Sequence, residues 1–230
     1  MIGVFRRRAI SLAVGVLVGG SAGAYAGQPG QILPVGTLPQ VRGVVYGQAT
    51  VNAPVLVAGG NLLTINQASQ KTIIEWNSFD IARGSTVQFI QPNAGSSALN
   101  RIFSLDPSVI QGKLTANGQI ILINQNGILF DGGSQVNAHS LIASTLAITD
   151  DVFKNGITTN TDSAALRFDG VTGFTRIEVA GAANGAGPAT LTSQTGGNII
   201  LLAPNVVNNG IIQSPDGQVI LAAGHSVLLF

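Results

Sequence analysis

Few side chains in this 230-residue chain could do chemistry, and their spacing favours none of the common reaction types. The two histidines, His139 and His225, stand far apart, with no cysteine or acid beside them at a metal-ligand spacing. They read as surface residues at turns. Glu75 and Trp76, in IIEWNSF, could pair a carboxylate with a sugar-stacking ring. The plainer reading puts Trp76 over the core near a cap and Glu75 against a neighbouring cation. The acids Asp131, Asp150, Asp151, Asp162 and Asp169 form no file of the kind a polysaccharide lyase or hydrolase would need on one face. Asp150-Asp151 falls short of the roughly six to eight oxygens that surround Ca²⁺. A G-x-S-x-G match at Gly19–Gly23 lies in an apolar leader, not on a strand-to-helix elbow. No glycine-rich phosphate cradle opens a helix. Catalytic residues, metal and cofactor are each read as none.

The most informative stretch is 118–133, GQIILINQNGILFDGG. Asn124-Gln125-Asn126-Gly127 joins two apolar runs, Ile120–Ile123 and Ile128–Phe130. It fits a type I β-turn: an Asn at the first position bonds its own backbone, and Gly at the fourth accepts positive φ. A turn alone needs no partner, so its meaning depends on the elements around it.

Those elements are short strands. Charged residues are only 9% of the chain and aromatics 5%, while glycine numbers 30; an ordinary globular domain carries about 25% charge. Runs of 3–6 β-branched and aliphatic residues recur, including Val55–Val57, Leu62–Ile65, Thr72–Trp76, Thr86–Ile90, Arg176–Val179, Ile199–Leu202 and Val219–Leu221. Doublets such as Gly59-Gly60, Asn117-Gly118, Asn126-Gly127 and Asp216-Gly217 punctuate them. Leu141–Ile148, LIASTLAI, reads as a buried strand or one helical turn. A phrase repeats: GQIIL from Gly118, GNIIL from Gly197 and GQVIL from Gly217. The last two lie 20 residues apart and the first lies 79 before the second, near four times 20. A period of about 20–30 residues is that of a solenoid coil. At about one 4.8 Å strand spacing per coil, some 200 residues predict roughly 8–10 coils and a rod roughly 40–50 Å long. The segment from Asp150 to Thr175 breaks the rhythm and reads as an excursion. Dry inward files explain the scarcity of charge, since an unpaired charge there would cost several kcal/mol.

The first 26 residues form a separate object. Arg6–Arg8, the apolar run Ala9–Gly20 and Ala24-Tyr25-Ala26 make a secretory signal peptide. The apolar run is too short for a membrane span of about 20 residues, so no transmembrane span is expected after cleavage. Losing three arginines leaves 8 basic against 10 acidic residues, a formal charge of −2. Nothing basic remains to suggest a nucleic-acid-binding surface, and no nucleic acid is expected as a partner. The absence of cysteine fits either a chain that must cross a second membrane unfolded or a domain with core enough to do without disulfides. Residues 27–43 read as a Pro/Gly-rich leader and 44–230 as the β-helix domain. The final SVLLF lacks a polar capping coil, which predicts truncation at the C-terminal end.

Several blocks in series resemble the N-terminal secretion domain of two-partner-secreted exoproteins, of the filamentous haemagglutinin and high-molecular-weight adhesin type. They are IIEWNSFDIARGSTVQFIQPN, ALNRI at 98–102, GKLTANGQIILINQNGILF and LIASTLAI. The resemblance implies an all-β, right-handed parallel β-helix with N-terminal capping strands. It implies a partner, an outer-membrane β-barrel transporter, and a chain that is secreted or surface-exposed without being an enzyme. It marks Asn124, Gln125, Asn126, Gly127 and Ile128 as the secretion motif, with Asn100, Arg101 and Trp76 as framework. The family corner is usually Asn-Pro-Asn-Gly-Ile; here Gln125 stands in place of Pro. A second motif is echoed only loosely by Gln91-Pro92-Asn93-Ala94. Contact with a host surface or glycan would fall to regions outside this chain. The competing readings are a polysaccharide-active β-helix enzyme and a passive stalk.

Overall fold

A computed structural model describes residues 31–155, 165–167, 175–183 and 185–228. The signal peptide at 1–26, Asp162, Asp169 and most of the excursion lie outside the described residues.

Strands β1 (Gln40–Tyr46), β2 (Ala49–Val51) and β3 (Val55–Val57) open the fold. Six coils follow. The first holds β4 (Gly60–Gln67) and β5 (Lys71–Ser78); the second β6 (Thr86–Ile90), β7 (Ser97–Ile102) and β8 (Ser108–Ile110). The third holds β9 (Lys113–Ala116), β10 (Gln119–Ile123) and β11 (Ile128–Phe130). The fourth runs through β12 (Gln135–Ala138) and β13 (Ser140–Ser144), leaves the stack through helix α1 (Asp150–Asn155) and β14 (Ala165–Arg167), and returns at β15 (Arg176–Val179). The fifth holds β16 (Thr190–Ser193), β17 (Ile199–Ala203) and β18 (Asn205–Asn208); the sixth β19 (Ile211–Gln213) and β20 (Val219–Ala223), with β21 (Ser226–Leu228) after it.

Successive coils pair in parallel, strand above equivalent strand. One sheet runs β5-β7-β10-β13-β17-β20, with β1 added antiparallel at its first edge. A second runs β4-β6-β9-β12-β16-β19, capped by antiparallel β2 and β3. A third joins β8, β11, β15 and β18. The protein is thus a parallel β-solenoid with N-terminal capping strands.

Register explains the sequence. Ala98, Ile120, Leu141, Ile199 and Val219 stack in one file. Leu63, Val87, Leu114, Val136, Leu191 and Ile212 stack in another. All except Val219 and the part-buried Ile212 are buried in one continuous core. The repeated GxIIL phrases all lie in the first sheet. Their leading glycines mark places with no room for a side chain: a Cβ on Gly197 would stand 1.6 Å from the His139 carbonyl oxygen, and one on Gly217 1.6 Å from that of Gly197. The phrase records close approach of backbone to backbone at the same corner of successive coils.

The described residues form six coils, where 8–10 were expected. Residues 40–57 serve the cap, and a long excursion interrupts the fourth coil. The 79-residue interval is two coil steps, one of 21 residues and one of 58, not four of 20. Leu141–Ile148 is a strand only to Ser144. The leader boundary at 43/44 falls inside β1, and Leu38 and Leu33 already pack on the solenoid.

The excursion begins by covering the outer face of the first sheet. Ile73, Leu99, Ile121, Ile123 and Ile142 point away from the solenoid interior and would meet water. Leu146, Ile148, Val152 and Phe153 bury them in a second core. Thr149 caps α1, its hydroxyl accepting from the Val152 N–H at 3.3 Å. The Lys71 ammonium, from the first coil, donates to the carbonyls of Phe153 at 3.0 Å and Lys154 at 2.7 Å at the other end.

Candidate functional site

The corner after β10 is the turn its residue types predict. The Gly127 N–H donates to the Asn124 carbonyl at 3.1 Å, closing four residues. The Asn126 N–H donates to the Asn124 side-chain oxygen at 2.9 Å. Gly127 has φ +122°, and a Cβ there would lie 3.1 Å from the Arg176 carbonyl oxygen, so the position needs glycine on both counts. Ile128 leaves the corner straight into the core, paired with Ser108 below and Ile177 above.

Asn124 ties three coils together. Its Nδ2 donates to the Asp106 carbonyl at 3.1 Å and the Ser108 hydroxyl at 3.0 Å, both on the second coil. Its backbone N–H donates to the Ser144 carbonyl on the fourth at 3.1 Å. Asn126 Nδ2 donates to the Ser104 carbonyl at 2.7 Å. Asn124 is 0% exposed, whereas Gln125 and Asn126 are half-buried. A carboxamide has two N–H donors and one acceptor oxygen; in Asn124 all three functions are used. Ser104, Asp106 and Ser108 are absent from the sequence-based site, although S-x-D-P-S at 104–108 carries the residue types of a matching turn.

Of the framework residues, Trp76 and Asn100 meet, whereas Arg101 serves the excursion. Trp76 and Asn100 are in adjacent strands, and the indole N–H donates to the Asn100 side-chain oxygen at 3.0 Å. Trp76 is 0% exposed and meets Phe79 edge-on at 5.2 Å, so its ring is closed to a sugar. Glu75 stands 3.8 Å from Arg42. Arg101 donates to the Ile148 carbonyl at 3.1 Å and the Asp150 carboxylate at 2.9 Å, tying the excursion to the second coil. Partial burial alone would raise the Asp150 pKa, but the hydrogen bond and charge of Arg101, with Lys154 at 3.5 Å, hold it below the ordinary value. Gln91, in the loose echo of a second motif, is buried and knots three coils: its amide donates to Gln67 at 3.0 Å and its oxygen accepts from the Gly118 N–H at 2.9 Å.

Two buried acids are spent on structure. Asp131 is buried, accepting from the Gly132 N–H at 2.8 Å and from Gln111 at 2.9 Å. Asp80 accepts from the Val109 N–H at 2.8 Å, and burial, aided by the nearby Asp106 charge, raises its pKa. Among the described residues no three His, Cys, Asp or Glu side chains gather where they could hold a metal. His139 is half-buried at the bend before β13; His225 is exposed at the bend before β21.

Comparison with known proteins agrees with this geometry. The sequence model described as "TPS secretion domain" matches residues 42–229. A Heme/hemopexin-binding protein of Haemophilus influenzae is 44% identical over 108 residues, which are 47% of this chain and 11% of that protein. A second Haemophilus influenzae protein of the same name is 38% identical over 125 residues, 54% of this chain and 12% of that one. The chain thus matches only about a tenth of the length of either relative. The crystal structure of the HMW1 secretion domain from Haemophilus influenzae superimposes with a TM-score of 0.66 at 28% identity, covering 82% of this chain and 45% of that one. With the solenoid, its cap and its polar corner in place, the match over 42–229 settles the family: this chain belongs to the TPS, or two-partner-secretion, secretion domains of adhesin-like exoproteins.

Proposed function

We propose that Asn124–Ile128 is the address read by a partner outer-membrane β-barrel transporter, and that it is read before the third coil stacks on the second. One observation carries the reading: every hydrogen-bonding function of the Asn124 side chain is used inside the folded solenoid, where the residue is wholly buried. A partner that recognises this amide must meet it in the unstacked chain. Extended segments rich in Ile, Asn and Gln suit recognition by strand addition. Folding outside the cell then opposes back-sliding.

On this reading residues 1–26 direct export across the inner membrane, and the domain is afterwards secreted or held at the surface. No described helix is long and apolar enough to cross a membrane. The reading is non-enzymatic. Any binding to a host surface or glycan is assigned to regions other than this secretion domain.

The test is co-expression with the cognate transporter, scoring medium against periplasm. Wild-type chain is expected in the medium only when the transporter is present, and Asn124→Ala is expected in the periplasm. Ser193→Ala controls for lost stability; it removes hydroxyl contacts to Gly197 in the fifth coil and Ser214 in the sixth, away from the motif. Equal retention of both variants, or secretion of Asn124→Ala at the wild-type level, would reject the proposal.

A further inference from the structure

The geometry points to a role for the corner Ser104–Ser108 in secretion: it is the intramolecular competitor that takes Asn124 and Asn126 from the transporter, so stacking of the third coil on the second is the release step. This rests on the reading of Asn124–Ile128 as the address and adds to it what ends the contact.

The competition is for the same atoms. Both Asn124 amide hydrogens are held by the preceding corner, through the Asp106 carbonyl and the Ser108 hydroxyl. The Asn126 amide is held by the Ser104 carbonyl. The Ser108 N–H closes the contact from the other direction, donating to the Gly127 carbonyl at 3.0 Å. A transporter group on the Asn124 side chain and this acceptor set therefore exclude each other. The competitor also has proximity in its favour. Its acceptors lie 16 to 22 residues upstream on the same chain. Tethering over so short a loop gives an effective concentration of the order of millimolar. The acceptors become properly placed only when β8 is formed, since Ser108 is its first residue. Chain that has not yet built the second coil keeps the address free; chain that has built it withdraws the address.

Trp76 makes formation of the second coil, which sets up the step, observable. It is the sole tryptophan, and it is buried against Asn100 on the second coil. The mature chain, unfolded in urea, is diluted into buffer containing the purified periplasmic part of the cognate transporter. Binding and release are followed by a label on the transporter, and folding by Trp76 fluorescence. Wild type is expected to bind and then to dissociate as the tryptophan becomes buried. Ser108→Ala removes one acceptor without touching the address. Its initial association should equal wild type, and its complex should last roughly threefold to tenfold longer, as expected for one hydrogen bond. Ser193→Ala should leave the lifetime at the wild-type value. Unchanged release in Ser108→Ala, or equal lengthening in Ser193→Ala, would overturn the competition while leaving the address intact. Failure of the wild-type chain to bind would overturn the address itself.

Discussion

The Trp76 indole nitrogen lies 3.0 Å from the Asn100 side-chain oxygen, with both residues fully buried in adjacent coils. Asn100 also donates to the carbonyls of Ala98 at 3.1 Å and Ile121 at 3.3 Å. A single amide thus joins the first three coils from inside an apolar file, where Ile74 lies below it and Leu122 above.

Replacing Asn100 by Leu would fill the file but orphan the indole N–H, and a buried unsatisfied donor costs about 1–3 kcal/mol. Denaturant unfolding followed by far-UV circular dichroism should show that loss. Adding Trp76→Phe should recover part of it, because the orphaned donor is then gone. No recovery would mean that the amide matters through its carbonyl contacts instead.

The glycines of the repeated phrase give a steric prediction. Gly197→Ala places a methyl group against the His139 carbonyl, with backbone on both sides of the clash. It should cost more than about 3 kcal/mol, beyond ordinary overpacking. Gly187→Ala, where the added Cβ meets nothing within 4 Å, should be close to neutral. Thermal melts of the two variants check this directly.

The two shifted carboxylates should oppose each other with pH. Asp150 has a lowered pKa, so its pair with Arg101 contributes stability above the ordinary value of 3.8, and that contribution is lost as pH falls through the lowered value. Asp150→Asn should melt slightly below wild type at neutral pH, by the small amount typical of an exposed pair, and the gap should close in acid. Asp80 has a raised pKa, so its buried charge costs stability at neutral pH, and the cost is relieved as pH falls through the raised value. Asp80→Asn keeps an acceptor for the Val109 N–H and should melt above wild type at neutral pH, the gap again closing in acid. Melting curves at several pH values measure both signs.

Gln125 occupies the second position of the type I turn, where proline is favoured. Its own N–H takes no part in the bonds that close the corner. Gln125→Pro should therefore stabilise the domain by about 0.4–1 kcal/mol, by restricting the unfolded chain. Equilibrium unfolding would show it, and the variant should still be secreted.

The fold was legible where one sheet repeats itself in sequence. GQIIL, GNIIL and GQVIL share a corner glycine and an apolar file, so three coils announced themselves. The coil between them, LIAS, is legible as a strand but not as part of the repeat, because His139 stands where the others have glycine. Strands such as β12 (QVNA), β16 (TLTS) and β18 (NVVN) were illegible for another reason. They are three or four residues long, and only pairing with neighbouring coils holds them extended. Helix α1 was missed because six residues carry too little periodicity; its signals were Thr149 before two acids and Lys154 in the last turn. At the site, the turn could be read from Asn124-Gln125-Asn126-Gly127, because turn chemistry is local. Its partners Ser104, Asp106 and Ser108 could not, because coil stacking brings them close, not sequence neighbourhood.

The most direct test of the address is a photo-crosslinking residue in place of Gln125, introduced during export in cells carrying the cognate transporter. An adduct is expected between position 125 and the transporter in chain caught before folding, and none when folded domain is added to the same transporter. An adduct from a crosslinker at Gln213, on the outer face of the sixth coil, with none from position 125, would contradict it.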